Sequence, residues 1–255
     1  MSVPAHQFND QIILITGGSS GIGLASARAF IAAGAKRVYI TGRSAAKLDQ
    51  AREELGNKAV AIVADVANQA DLNRLHNDIQ VRGDKLDVLF ANAGIAIRNQ
   101  FGHTADNEYG NIFDTNVKGL FFTVQTLLPL LNDGASVVLN ASIAASLGMA
   151  NLSLYNASKA AVRSFARSWA TDLKDRKIRV NAVSPGVTRT PIMENGLGMS
   201  EQDIANFSAY LAGAAPIGRM AHPDEIAAPV LFLASKAASY INGVELSVDG
   251  GLTQV

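Results

Sequence analysis

Short apolar runs alternate with longer stretches of helical period along this chain. "IILIT" (12–16) is a β-branched run, followed by a glycine-rich turn and the helical pattern "IGLASARAFIAAG". "RVYIT" (37–41) precedes the charged helix "AAKLDQAREELG". "AVAIVA" (59–64) leads to a helix around Leu72 to Ile79, and "LDVLFAN" (86–92) to a long helical region ending near Leu131. "SVVLNAS" (136–142) precedes the helix "SLYNASKAAVRSFARSWA" (153–170). "IRVNAVS" (178–184) runs into an irregular segment, and "GVELSVDGG" (243–251) is a last strand. Strands apolar on both faces imply a sheet covered on both sides. Strands alternating with helices imply a parallel, doubly wound α/β sheet of the Rossmann-like kind, with helices on both faces. No composition break, repeat or low-complexity stretch interrupts it, so the expectation is one domain over residues 1–255. The exception to the pattern is 190–220, rich in Gly, Ala and Met, where only a short helical piece is predicted. Met193, Leu197, Met199, Phe207 and Leu211 are many apolar residues for a solvated loop, which favours a lid over a surface excursion.

Composition narrows the classes. With 48% hydrophobic residues over 255 positions the chain can bury a sizeable core. Lys and Arg number 22, as do Asp and Glu, and no basic block stands out, which argues against nucleic acid or an anionic membrane as partner. There is no cysteine, which excludes disulfides, thiolate catalysis and cysteine-ligated metals. "MSVPAHQFNDQ" does not read as a secretory leader, and no apolar run is long and pure enough to span a bilayer; the expectation is a cytoplasmic protein. His6, His76, His103 and His222 show no metal-ligand spacing and read as surface or capping residues, so no metal site is expected. Gly-x-Ser-x-Gly, the nucleophile elbow of α/β-hydrolases, is absent.

Two stretches carry chemistry. In "ITGGSSGIG" (15–23), Gly17, Gly21 and Gly23 lie between the first strand and the first helix. Glycines there permit a tight turn and close backbone approach, and a helix N-terminus offers free N–H groups to a pyrophosphate. A carboxylate at the end of the second strand would suit NAD, and an arginine suits a 2′-phosphate. The sequence reads "ITGRS": Gly42 stands where the acid would be, and Arg43 and Ser44 follow. NADP(H) is therefore expected over NAD(H), with Arg43, Ser44 and Ser19 on the phosphate. The second stretch pairs Tyr155 with Lys159 at i and i+4, on one helix face. Alone, that pair is open between a catalytic dyad and a solvated face with a half-buried Tyr.

Together these stretches resemble the short-chain dehydrogenase/reductase family over essentially the whole chain. "TGGSSGIG" is similar to the family's cofactor loop (Gly17, Ser19, Ser20, Gly21, Ile22, Gly23), and "ADV" to its adenine contact (Asp65, Val66). "ANAG" resembles N-N-A-G, with Ala91 replacing a structural Asn ahead of Asn92, Ala93 and Gly94. "NVKG" supplies Asn116, "NASIAAS" Ser142 and "YNASK" the Y-x-x-x-K pair. "SPGVTRT" resembles the nicotinamide segment (Pro185, Gly186, Thr188, Thr190). The resemblance implies Tyr155 as general acid/base, with a pKa lowered by the Lys159 ammonium from its ordinary value near ~10. It implies that Lys159 also holds the nicotinamide ribose and that Ser142 bonds the substrate oxygen. Asn116 would hold a proton-relaying water, and Asn156, Ala157 and Ser158 would need no chemical role. The implied activity is reduction of a small ketone, or its reverse.

Ile143, Leu147, Met149 and Leu152, with Ile95, Ile97, Met193, Leu197 and Phe207, predict an apolar pocket for a hydrophobic carbonyl substrate. A 3-oxoacyl carrier-protein reductase is the alternative, with Lys174, Arg176 and Lys177 available to an acidic carrier. A non-catalytic NADP-binding protein is a third reading, disfavoured because both Tyr155 and Lys159 are present. Enoyl reductases of related fold space the Tyr and Lys more widely. Apolar residues beyond one stripe in "VKGLFFTVQTLLPLL" and "AAVRSFARSWATDL" predict a homo-oligomer, tetramer or dimer, and "DGGLTQV" offers a second interface.

Overall fold

A computed structural model describes residues 7–255; His6 and most of the N-terminal stretch read above lie outside the described residues. Seven strands form one sheet: β1 (Ile12–Thr16), β2 (Arg37–Gly42), β3 (Ala59–Val63), β4 (Leu86–Ala91), β5 (Leu131–Asn140), β6 (Arg179–Pro185) and β7 (Glu245–Val248). Their order is β3-β2-β1-β4-β5-β6-β7, and every pairing is parallel. The helices are α1 (Gly21–Ala32), α2 (Ala45–Leu55), α3 (Gln69–Val81), α4 (Asp106–Phe113), α5 (Leu120–Leu127), α6 (Ser153–Asp172), α7 (Ile192–Asn195), α8 (Glu201–Ala214) and α9 (Pro223–Ala234). No helix among the described residues is long and apolar enough to cross a membrane.

The two-sided apolar strands sort their residues by alternation. Ile12 and Leu14 of β1 join the core under α3, α5 and α6, where Leu75, Ile79, Val124, Leu127 and Val162 are buried. Ile13 and Ile15 join the opposite core under α1, α2 and α9, with Phe30, Leu48, Ile226 and Val230. The first strand has β2 on one side and β4 on the other, so the direction of winding reverses there. At such a switch point the loops leaving the carboxyl ends of the strands part and leave a crevice.

The structure departs from the expected elements in two places. The segment 190–220 holds two helices rather than one short piece. The longer, α8, begins at a capping box: Ser200 Oγ accepts from the Asp203 N–H at 3.1 Å, and Asp203 Oδ2 accepts from the Ser200 N–H at 2.9 Å. Helix α9 interrupts what read as an irregular stretch. Pro229 inside it looks like a breaker in sequence, yet burial of Ile226, Val230, Leu231 and Leu233 keeps the helix whole. His222 caps it, its Nδ1 accepting from the Asp224 N–H at 3.5 Å.

Candidate active site

At the carboxyl ends of β1, β4, β5 and β6 lies a cleft of about 370 Å³. One end is built by the turn after β1. Gly17 (φ +66°) and Gly21 (φ +53°) take left-handed conformations there, which the sequence meets with glycine. Helix α1 starts from this turn with no side-chain cap and no acid in its first turn, leaving its N–H groups and positive dipole end free for an anion. Asn92, leaving β4, clamps the turn. Its Nδ2 donates to Thr16 O at 2.9 Å and Gly17 O at 3.2 Å, while Thr16 Oγ1 accepts from the Asn92 and Ala93 N–H groups at 3.0 Å.

Of the residues assigned to the cofactor, all but Gly23 and Ser44 line this cleft. Gly23 faces inward instead: a Cβ there would stand 2.2 Å from Gly17 O, so its glycine serves the packing of α1 against the turn. Ser44 caps α2, accepting from the Lys47 N–H at 3.4 Å. Arg43 lines the cleft, is exposed, and has no hydrogen-bond or ion-pair partner among the described residues. Gly42 beside it does not take a positive φ, and a Cβ there would meet Ser19 Oγ at 3.2 Å and Leu48 at 3.7 Å.

Deeper in the cleft, Ser142 hydrogen-bonds the Tyr155 phenol. Helix α6 carries Tyr155 and, one turn on, Lys159, whose Nζ sits 5.8 Å from the Tyr155 ring centroid. The Lys159 ammonium is buried, 5% exposed, and its partner is Asn140 O at 2.7 Å. Burial depresses its pKa from 10.5 to about 8. The Tyr155 phenol moves the other way from expectation. Burial pushes its pKa up, opposed only by the Ser142 hydrogen bond. Desolvation outweighs any pull from the ammonium, so the phenol keeps its proton near neutrality.

Asn116 has its side chain engaged within the fold. It lies in a π-helical turn, Asp114–Gly119, of the kind often found at functional sites. Its side chain is spent on the fold: Oδ1 accepts from the Ile95 N–H at 2.8 Å, and Nδ2 donates to Ile95 O at 2.9 Å and Ser158 Oγ at 3.0 Å. It is buried and does not line the cleft. Ser158 and Asn156 thus gain roles the sequence did not suggest. Ser158 ties Asn116 to α6, and Asn156 Nδ2 donates to Leu147 O at 2.9 Å, holding the loop after Ser142. Asn140 was also missed, although a polar residue ending the apolar run "VVL" was a signal.

The far half of the cleft is apolar. Ile95, Ile143, Met149, Leu152, Met193, Leu197 and Phe207 line it as expected, joined by Ala144, Val187 and Ile192. Leu147 and Ile97 do not line it, and Leu147 points outward, 38% exposed. Met193, Met199 and Ile204 are buried in a small core of their own, with Leu197 and Phe207 packed on it, so the segment over the cleft is a packed unit. Lys174, Arg176 and Lys177 lie at the opposite end of the sheet, before β6 begins. Arg176 is engaged with Asp133 at 2.8 Å and Leu128 O at 2.9 Å. Among the described residues no cluster of His, Asp and Glu could hold a metal ion.

The chain is similar to known proteins. A family model described as enoyl-(acyl carrier protein) reductase matches residues 17–253. The oxidoreductase asL5 of Sarocladium schorii is 41% identical over 244 residues, 95% of each chain. The cyclopentanol dehydrogenase of Comamonas sp. (strain NCIMB 9872) is 35% identical over 250 residues, 96% of this chain and 98% of its own. Among solved structures, a short-chain dehydrogenase/reductase from Brucella melitensis superposes with TM-score 0.92 at 29% identity, covering 99% of this chain and 100% of its own. A levodione reductase superposes at 0.90 with 30% identity, covering 97% and 99%.

Proposed function

The chain belongs to the short-chain dehydrogenase/reductase family, an oxidoreductase family that binds a nicotinamide cofactor, and from that premise we propose that it is an NADP(H)-dependent reductase of apolar ketones. The observation that carries the reading is a hydrogen-bonded Tyr155–Ser142 pair over a buried Lys159, set between a free helix N-terminus and an apolar pocket.

The residues present fit the cofactor. The uncapped start of α1 and the glycine turn suit a pyrophosphate, and Arg43, without a partner of its own, suits a 2′-phosphate. Asp65 is held in its own turn, its Oδ1 accepting from the Ala67 N–H at 3.0 Å. When bound, NADPH supplies the hydride. The chain's residues supply the rest. Ser142 Oγ donates to the substrate oxygen as charge develops on it. Tyr155 Oη, which burial keeps protonated, gives that oxygen a proton. Lys159 Nζ has donors to spare beyond its bond to Asn140 O, and these suit ribose hydroxyls. The apolar far half excludes water and offers no charge to a second polar group on the substrate. The names of two similar proteins, cyclopentanol dehydrogenase and levodione reductase, accord with a cyclic carbonyl compound or alcohol as substrate.

The carrier-protein alternative loses support, because the basic residues assigned to it lie away from the cleft. The enoyl reductase of the family model's description is disfavoured by the close Tyr155–Lys159 spacing. The test compares catalytic efficiency with NADPH and NADH on a panel of cyclic and aromatic ketones. NADPH is expected to win. A hydrogen bond to a charged group contributes about 1.5–3 kcal/mol, so Arg43→Ala is expected to weaken NADPH roughly ten- to a hundredfold and leave NADH unchanged. Preference for NADH would make Arg43 a surface charge only, and turnover confined to carrier-bound or charged substrates would overturn the pocket reading.

A further inference from the structure

Asn140, the last residue of β5, stands between the two ends of the cofactor cleft. Its Nδ2 donates to Asn92 Oδ1 at 2.9 Å. The amide orientations are forced: both hydrogens of Asn92 Nδ2 are committed to Thr16 O and Gly17 O, so Asn92 can face Asn140 only with its oxygen. Asn92 in turn grips the turn at close quarters. Its Nδ2 lies 3.0 Å from where a Cβ of Gly17 would be and 2.7 Å from where a Cβ of Gly23 would be. On its other side Asn140 offers its main-chain oxygen to the Lys159 ammonium at 2.7 Å. A chain of bonds thus runs from the glycine turn through Asn92 and Asn140 to Lys159.

The arrangement is costly for the fold. Asn140 Oδ1 is buried and has no partner among the described residues. An unpaired buried acceptor destabilises. An apolar side chain at this strand end would remove that oxygen but leave Asn92 Oδ1 without its donor. A polar pair that gains the fold little points to a geometric duty.

We propose that Asn140 is a positioning residue for cofactor binding: through Asn92 it holds the glycine turn in its binding shape, and it ties that turn to the acceptor of Lys159. The proposal rests on the nicotinamide reading above. It expects Asn140 to act on the cofactor's affinity rather than on the proton transfer, because the hydrogen bond its side chain makes goes to Asn92 and not to Tyr155 or Ser142.

The test uses Asn140→Leu, close in volume, and Asn140→Ala as a second variant in case Leu does not fit. NADPH affinity of the unliganded protein is measured by calorimetry, and amide hydrogen exchange of residues 16–23 is followed without ligand. Loss of one hydrogen bond to the clamp is expected to raise Kd about two- to tenfold. Exchange in 16–23 should quicken, while kcat at saturating NADPH stays within about twofold. The melting temperature should hardly move, because the substitution removes the unpaired Asn140 oxygen and leaves the Asn92 oxygen unpaired in its place. Unchanged Kd with unchanged exchange overturns the proposal, as does a rise in Kd without faster exchange in the turn, or a joint collapse of Tm and kcat in both variants. If the wild-type protein binds no nicotinamide dinucleotide, the functional reading fails, and the exchange measurement still decides whether Asn140 holds the turn.

Discussion

Lys159 shows what a buried ammonium costs the fold. Buried, with one main-chain oxygen as its partner, it titrates at about 8 rather than 10.5. Between those values the unfolded chain binds the proton that the folded one has released, so folding stability rises with pH across that window. Lys159→Met removes the effect. The unfolding free energy of the wild type relative to the Met variant is expected to rise by up to about 3 kcal/mol from pH 8 to 10.5, at ~1.4 kcal/mol per unit. Chemical denaturation at several pH values measures it, and a flat difference would mean the ammonium is well solvated. Tyr155 makes the complementary case. Tyr155→Phe removes the proposed proton donor and leaves Lys159 in place. Reduction is expected to fall about 10²–10⁴-fold with NADPH affinity nearly kept; a variant retaining a tenth of the rate would need another acid. Both residues were legible in the sequence, as a spacing. The direction of the phenol's pKa was not, because burial depends on what the rest of the chain places around it.

Elements were legible where local pattern and packing agree. Strand β1 is predicted and found at the same residues, since five apolar positions in a row suit only a strand buried on both faces. Helix α8 was under-read although "SEQD" is a capping box, because its apolar positions serve the small core over the cleft rather than the main one. Helix α9 carries a proline in its middle, and what sustains it lies partly on another element. Arg179 of β6 reaches across to its end, donating to Leu233 O at 2.8 Å, Ser235 O at 3.1 Å and Ala234 O at 3.2 Å. These are carbonyls a helix leaves unpaired, at its negative dipole end. Arg179→Met leaves Ala234 O bare, whereas Leu233 O keeps the Ser136 hydroxyl at 3.2 Å and Ser235 O keeps the Ala238 N–H at 3.2 Å. A buried acceptor left bare costs about 1–3 kcal/mol, so a loss of that size, at roughly 2–4 °C in Tm per kcal/mol, is expected. A change below a degree would show that water caps the helix equally well.

On the scale of the whole molecule, α5 and α6 carry more apolar surface than the core takes. Leu120, Val124, Leu127, Val162 and Ala166 are buried inward. Phe121, Phe165 and Trp169 stack on one another outside them, Phe165 on Trp169 at 4.9 Å and Phe121 edge-on to Trp169 at 5.6 Å, each partly exposed. Proteins of this family commonly oligomerise, and such a ring cluster suits a contact between copies. Sedimentation at micromolar concentration is expected to give a dimer or tetramer, and Trp169→Glu to shift it toward monomer; a monomeric wild type would leave the cluster as mere core margin. The sequence by itself determined the parallel doubly wound sheet, the glycine turn, the Tyr155–Lys159 face and Arg43, because each rests on periodicity or on residues adjacent along the chain. Only the tertiary structure decided that the Asn116 side chain is spent on Ile95 and Ser158, that Gly23 packs closely on the glycine turn, that Leu147 turns outward and that Asn140 joins the glycine turn to Lys159. Those outcomes depend on which strand ends meet, and partners 21, 42 or 48 residues apart leave no local trace in composition or spacing.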